Sequence, residues 1–402
     1  MKIIVLAGGA DQIALILELK KRGHETILID YFENPPAKQY ADLHIVASTL
    51  DVSVVENIAK EQHADMICTA CTDQALLTVA QVSEKLGLPC YISYQTALNV
   101  TNKSYMKKRM IDHGIPTSKY KILCDANNSS VEDLCYPLVV KPVDCNSSKG
   151  VVRVDSSASL EEAIQNAIHY SRTNMAIVEE FKVGDEVSAD FYVEGNTVKL
   201  LCATTSKKVK NSHSFTIIQS YYPVLRNDQE IKLTQIAQKI ADVFGISDSP
   251  LLLQMIVNGD DINVLEFSAR MGGGSKYKLI EVLSGVNIMK TYVDLILGEH
   301  TSVAPRKCVN YAACAFIYCQ NGVLHSVSGL DQLTADGVID HYFLYKTKGM
   351  AFTQAKTSGD RAAGYIVTAD SEETLNRKLE SADARISVLD ENGKDIMIHG
   401  WI

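Results

Sequence analysis

The sequence predicts a multidomain protein of α/β and α+β type: a doubly wound parallel sheet, then α+β units with antiparallel strands. Three observations carry this. Residues 1–100 alternate short apolar runs with amphipathic helical stretches, the segments that follow to about 275 alternate polarity strand by strand, and residues 305–402 add a further set of strands and a helix. At 402 residues the chain has room for two or three domains and a large core. We expect divisions at 1–100, 101–304 and 305–402.

Lys2–Ala7 is an apolar run closed by Gly8-Gly9, a buried strand and a tight turn. A helix over Asp11–Arg22 carries apolar residues at 13, 14, 16, 17 and 19, and Gly23 stops it. Thr26–Asp30, His44–Ala47 and Asp65–Thr69 are strands, and Val52–Gln62 and Gln74–Leu86 are helices. Such βαβ alternation implies a parallel sheet. Gly8-Gly9 and Asp30 have the outline of a dinucleotide site, but with Gln12 and Ile13 the full G-x-G-x-x-G is absent, so a plain turn is expected. Lys103–Ile111 is helical, ending at Gly114. Lys119–Leu123, Tyr136–Val143 and Val151–Val154 are strands, followed by helices over Ser159–Tyr170 and Glu230–Phe244. The tail has strands at Ala312–Cys319, Gly364–Thr368 and Ile386–Leu389 and a helix over Glu372–Ser381.

Leu251–Gly274, LLLQMIVNGDDINVLEFSARMGGG, reads as a hairpin running into a glycine cluster. Glu266, Ser268 and Arg270 stand at i, i+2 and i+4 and share a strand face, opposite Leu265, Phe267 and Ala269. A carboxylate and a guanidinium on such a strand suit a site for a divalent metal and an anion, because burying either alone is costly; a surface ion pair is the plainer reading. If the loop is Gly259-Asp260-Asp261, Gln254 faces Glu266. A two-residue loop pairing Asn258 with Asp261 would turn Gln254 away, unless a bulge intervenes. The odd loop is expected.

Composition is that of an ordinary globular protein, 46% hydrophobic and 22% charged. A net charge of -9 without a basic run argues against nucleic-acid binding. Ten irregularly spaced cysteines and no secretory leader predict reduced thiols and a cytoplasmic protein. Cys68 and Cys71 form C-x-x-C, but without a second pair a zinc or redox site is not expected. The apolar start is too short to span a membrane.

Lys141 interrupts an apolar strand, and the small polar stretch Asp144–Gly150 follows it. A strand lysine reaches phosphates as a point charge, and a Ser/Gly loop wraps them with N–H and hydroxyl donors. Alone, that loop reads more often as a surface hairpin than as a phosphate clamp. In IVEEFKVGDEVSAD, Glu179 and Glu180 end a strand and Glu186 follows a Gly-Asp turn. Acceptors there suit an adenine amine and ribose hydroxyls, or a solvated acidic patch.

Together these signals resemble the ATP-grasp superfamily: Lys103, Lys141, the Asp144–Gly150 loop, V-E-E-F-K-V-G-D-E and E-F-S-A-R-M-G-G-G occur in that family's order. The resemblance spans roughly residues 1–300, and the 305–402 tail looks like the small C-terminal domain of biotin-carboxylase-like members. It implies a pre-ATP-grasp domain, a grasp of two α+β subdomains and a small C-terminal domain. It also implies that Lys103 and Lys141 contact ATP phosphates and that Ser147, Ser148 and Lys149 form the lid. Glu179, with Glu180 and Lys182, would bind adenine, and Glu186 ribose. Glu266 would bridge two Mg²⁺ (or Mn²⁺) ions between phosphates, with Gln254 at the other ligand position, where most relatives have a carboxylate and carbamoyl-phosphate synthetases resemble this chain; with Gln254 and Ser268 the site could hold one metal or two. Ser268 stands where the family usually has Asn. Arg270 would stabilise the acyl phosphate, Gly272–Gly274 would offer donors to substrate, Lys207 or Lys208 would reach phosphate and His213 would lie near substrate.

The activity implied is that of a carboxylate–amine ligase acting on small molecules, amino acids included, through an acyl phosphate. Homodimers are frequent in the family. Two alternatives keep the fold: a bicarbonate-activating carboxylase or carbamoyl-phosphate-synthetase-like enzyme, and a non-catalytic ATP-binding regulator with a decayed metal site.

Overall fold

A computed structural model describes residues 1–125, 131–145, 149–209, 215–353, 355 and 357–400. The chain begins with β1 (Lys2–Leu6), α1 (Ala10–Lys21), β2 (Glu25–Asp30), β3 (Leu43–Val46), α2 (Val52–Glu61), β4 (Met66–Cys68), α3 (Asp73–Leu86) and α4 (Tyr94–Thr101). The strands form a parallel sheet in the order β3-β2-β1-β4. It is covered on both faces, which is why β1 is apolar without alternation: α1 packs Leu15, Ile16 and Leu19 into one core, and α2 and α3 pack Val55, Val79 and Val82 into another. The order reverses between β1 and β4, the switch point at which open α/β sheets bind ligands.

Asp30 is buried and accepts the N–H groups of Gly8 (2.7 Å) and Phe32 (2.8 Å). It serves the turn and is not open to a ribose. Gly8 lies so close to Pro35 that a Cβ would stand 2.5 Å from the proline Cβ.

The middle of the chain opens with α5 (Lys103–Asp112), capped by Asn102, whose side chain accepts the Ser104 N–H. Next come β5 (Tyr120–Leu123), β6 (Leu138–Pro142), β7 (Val152–Val154), α6 (Leu160–Tyr170) and β8 (Ala176–Glu180). These strands make an antiparallel sheet, β5-β8-β6-β7, with α6 packed on it.

The remainder is β9 (Asp185–Glu194), β10 (Thr197–Lys208), β11 (Ile217–Tyr222), α7 (Asn227–Phe244), β12 (Ser249–Asn258), β13 (Asp261–Ser268), α8 (Lys276–Ser284), α9 (Ile288–Ile296), β14 (Tyr311–Ile317), β15 (Gly322–Ser328), α10 (Leu330–Ala335), β16 (His341–Leu344), β17 (Ala351–Phe352), β18 (Ala363–Ala369), α11 (Glu372–Arg385) and β19 (Ser387–Asp390). Eight of these strands form one antiparallel sheet, β13-β12-β9-β10-β11-β14-β18-β16, which crosses residue 304 without a break because β11 pairs with β14. A small sheet, β17-β15-β19, completes the tail.

The hairpin loop corrects the expected register. Asn258 pairs with Asp261, so the loop is the two residues Gly259-Asp260, with Gly259 at φ +58°. Gln254 nevertheless pairs with Glu266, because a bulge at Leu265 inserts one residue between the Met255–Val264 and Gln254–Glu266 pairs. None of the ten cysteines is disulfide-bonded, and no helix among the described residues is long and apolar enough to cross a membrane.

Gly8→Ala should lower stability by about 1–3 kcal/mol, the range for overpacking a filled site. Urea unfolding of the variant beside wild type checks this.

Candidate active site

Three parts of the fold meet at one cleft. The N-terminal sheet supplies Asp11 just after β1, and Cys71 and Asp73 just after β4, all at the switch point. Helix α5 supplies Lys103 and Lys107, one turn apart on its buried side, while β12 and β13 supply Gln254 and Glu266, with Arg270 just beyond. The cavity between them is lined by Asp73, Lys103, Asp144, Gln254, Glu266 and Arg270.

Its electrostatics are a set of paired buried charges. Lys103 Nζ lies 3.0 Å from Glu266 Oε2 and donates to the Cys145 carbonyl at 2.8 Å. Burial would push Glu266 up, but Lys103 and Lys141 outweigh it and hold the carboxylate below its usual range. Glu179 is sandwiched: Lys107 Nζ is 2.5 Å from one oxygen and Lys141 touches the other. Against burial, the two ammoniums lower Glu179 to about 2. Lys107 is fully buried and lowered, chiefly by burial, with the Lys141 charge adding to it. Arg270 forms a two-bond fork with Asp73, Nε to Oδ1 at 2.8 Å and Nη2 to Oδ2, and its Nη1 donates to the Met271 carbonyl at 2.8 Å. Burial opposes ionisation of Asp73, and Arg270 overcomes it.

The turn after β13 is held by two carboxylates. Gly272 N–H donates to Asp190 Oδ1 at 2.8 Å, and the Gly274 and Ser275 N–H groups donate to Asp11 at 3.2 and 2.8 Å. Burial raises both acids. Gly184, at φ +150°, brings the segment after β8 against the hairpin: a Cβ there would stand 2.5 Å from the Val257 carbonyl oxygen.

Residues 134–278 match the ATP-grasp domain family. The chain carries an ATP-grasp domain. Residues 315–389 match the L-amino acid ligase C-terminal domain 2. In sequence the chain is 24% identical over 276 residues to the formate-dependent phosphoribosylglycinamide formyltransferase of Mannheimia succiniciproducens, covering 67% of this chain and 69% of that one. In fold it is similar to the L-amino acid ligase of Bacillus licheniformis, with TM-score 0.79, 20% identity and coverage of 97% and 99%. It is also similar to the biotin carboxylase domain of the Hydrogenobacter thermophilus 2-oxoglutarate carboxylase, solved with MgADP, ADP and bicarbonate (TM-score 0.79, 18% identity, coverage 96% and 90%).

Of the expected residues, Lys103, Gln254, Glu266 and Arg270 line this cavity, and Lys141 stands beside it, its charge acting on Glu266. Glu180 and Lys182 follow on the same edge: Glu180 accepts the Cys135 N–H at 3.2 Å, and Lys182 Nζ lies 3.6 Å from it. Glu186 pairs with Lys208. Lys149 is exposed, with its ammonium over the Tyr170 ring. Ser147, Ser148 and His213 lie outside the described residues.

Three placements differ from expectation. The Glu179 carboxylate is committed to two lysines and is not open to adenine. Lys207 points across the sheet, over the Tyr221 ring toward Glu372, so Lys208 is the lysine on the Glu186 side. The Gly272 N–H is already taken by Asp190, leaving that of Gly273 as the turn's uncommitted donor among the described residues.

Sequence reasoning missed Lys107, Asp73, Asp11, Asp190 and also Lys276, at the start of α8, whose Nζ lies 3.7 Å from Asp190 Oδ2. Lys107 was within reach, since it stands at i+4 from Lys103. Asp11 and Asp73 follow strands β1 and β4, which a predicted strand order would have marked as the switch point.

The oxygen donors fit one Mg²⁺. Gln254 and Glu266 pair across the hairpin on one face, and among the described residues no cluster of three or more His, Cys, Asp or Glu side chains could hold a metal unaided. Mg²⁺ commonly takes one or two protein oxygens and completes its shell with phosphate and water.

Glu179→Gln should cost about 3–5 kcal/mol at neutral pH, because it leaves two buried ammoniums facing each other. Lys107→Met should cost less than half as much, since one balanced pair remains. With the folded value lowered from 4.5 to about 2, the contribution of Glu179 is complete above 4.5 and is lost as pH falls toward 2. The penalty of Glu179→Gln should therefore shrink between about pH 4.5 and 2; urea unfolding across that range measures it.

Proposed function

We propose that the protein is an ATP-dependent carboxylate–amine ligase acting on free small molecules in the cytoplasm, with the three-part division at 1–100, 101–304 and 305–402. The single observation that supports this reading most is the convergence of Lys103, Glu266, Gln254 and Arg270 on one cleft at the switch point, with Lys141 beside it through Glu179 and Glu266. The segment Glu180–Lys182 receives adenine between the two antiparallel sheets, Glu186 takes the ribose, and Lys103 and Lys141 flank the phosphates. Glu266 and Gln254 would hold Mg²⁺, which would offset phosphate charge.

The substrate carboxylate sits beside Arg270, whose fork to Asp73 fixes its plane. Carboxylate oxygen attacks the γ-phosphorus in line, ADP leaves, and an acyl phosphate forms. Arg270 and the Gly273 N–H face the developing oxyanion. The amine then attacks the acyl carbon, loses a proton and expels inorganic phosphate.

The test is ADP and phosphate release with Mg-ATP across paired amino acids and small carboxylates, bicarbonate included. Turnover that needs both an acid and an amine is expected. Turnover with bicarbonate alone would replace the ligase by a carboxylase-like enzyme. Arg270→Lys should lower kcat by about 10²–10³-fold, the scale of losing one preorganised oxyanion donor, with ATP affinity little changed. Glu266→Ala should abolish turnover; an effect confined to nucleotide affinity would point to a binding regulator.

A further inference from the structure

Strand β6 carries Lys141, and Val143, Asp144 and Cys145 follow directly after it. The carbonyls of these three residues all accept hydrogen bonds from helices outside the β5-β8-β6-β7 sheet. The Lys103 N–H donates to the Val143 carbonyl at 2.9 Å, and Lys103 Nζ donates to that of Cys145 at 2.8 Å. Between them, the Asp144 carbonyl accepts Gln74 Nε2 at 3.0 Å, and also Arg172 Nη2 at 3.3 Å. The buried Asp144 carboxylate is committed elsewhere, to the N–H groups of Arg172 (3.2 Å) and Thr173 (3.0 Å) and to the Thr173 hydroxyl (3.1 Å).

Gln74 is the second residue of α3, half-buried, and lines the cleft. It lies outside the stretch 134–278 that matches the ATP-grasp domain family. Its neighbour Asp73 makes the fork to Arg270. The first turn of α3 therefore holds both halves of the cleft: Asp73 holds the guanidinium, and Gln74 holds the main chain that leaves Lys141. How Lys103 and Lys141 stand relative to each other depends on where the end of β6 sits against the helices. Lys103 ties that end to α5, and Gln74 ties it to α3. An amide makes this tie without adding a charge to a cleft whose charges are already paired. A neutral hydrogen bond of this kind is worth about 2–10-fold in an equilibrium constant.

We propose that Gln74 is a positioning residue for the nucleotide polyphosphate: through the Asp144 carbonyl it sets the end of β6, and with it Lys141, against Lys103. This rests on the nucleotide-binding reading above. It extends the nucleotide site into a helix that covers the N-terminal sheet.

Isothermal titration of Mg-ADP into wild type, Gln74→Leu and Gln74→Glu tests it, with adenosine measured by displacement. Gln74→Leu removes the donor, and Gln74→Glu turns it into an acceptor facing the carbonyl. Mg-ADP should bind Gln74→Leu about 2–10-fold more weakly than wild type, and Gln74→Glu at least as weakly, while adenosine affinity should change by less than about twofold. Adenosine has no phosphate, so a general loosening of the fold would weaken both ligands together, and that result would overturn the proposal. Unchanged Mg-ADP affinity in both variants would overturn it too. In the turnover assay KM for ATP should rise in Gln74→Leu with KM for the acid unchanged; a rise confined to the acid would count against the assignment. Failure of wild type to bind Mg-ADP would sink the nucleotide reading itself, whereas wild-type binding that both variants match would sink only the role of Gln74.

Discussion

The cleft depends on the neutralisation of charges that the fold has taken out of water. Helix α5 inserts two lysines between the antiparallel sheets and the hairpin, and β6 adds a third. Three cations this close would force the elements apart without Glu179 and Glu266, and each carboxylate would be equally unstable without its lysines. Glu179 couples α5 to β6, and Glu266 couples α5 to β13. The charges that would meet a polyphosphate are thus the ones that hold the surrounding elements in register, which explains why side chains so expensive to bury sit at the junction of three substructures.

The same logic extends outward from the cleft. Asp73 reaches from the N-terminal sheet to Arg270, Asp11 reaches to the turn before α8, and Asp190 anchors that turn from β9. Each acid belongs to a different element, so the orientation of Arg270 and its neighbouring backbone donors is set by the packing of the whole molecule.

Local rules read the strands and helices well where an element is apolar throughout, as in β1, or on a single face, as in α1, α6 and α11. The linear order Lys103, Lys141, Glu266, Arg270 was also legible, because charged residues embedded in apolar strands stand out. What escaped was set by distant neighbours. The Leu265 bulge cannot be seen in an unbroken strand pattern, yet it reconciles a two-residue turn with Gln254 opposite Glu266. Whether Lys207 or Lys208 faces Glu186 depends on strand phase near a register shift in β10. The engagement of Glu179 with Lys107 joins residues 72 positions apart by sequence number, on different elements, and no local signal encodes it.

The eight-stranded sheet that runs unbroken through residue 304 makes the C-terminal part less separable than its place in sequence suggests. Four ladder pairs, from Gln219↔Ala315 to Tyr222↔Ala312, join β11 to β14. Cutting the chain between them would uncover a row of backbone donors and acceptors on each fragment. Two such bare edges are templates for pairing with other molecules, so severed halves would tend toward self-association or strand exchange.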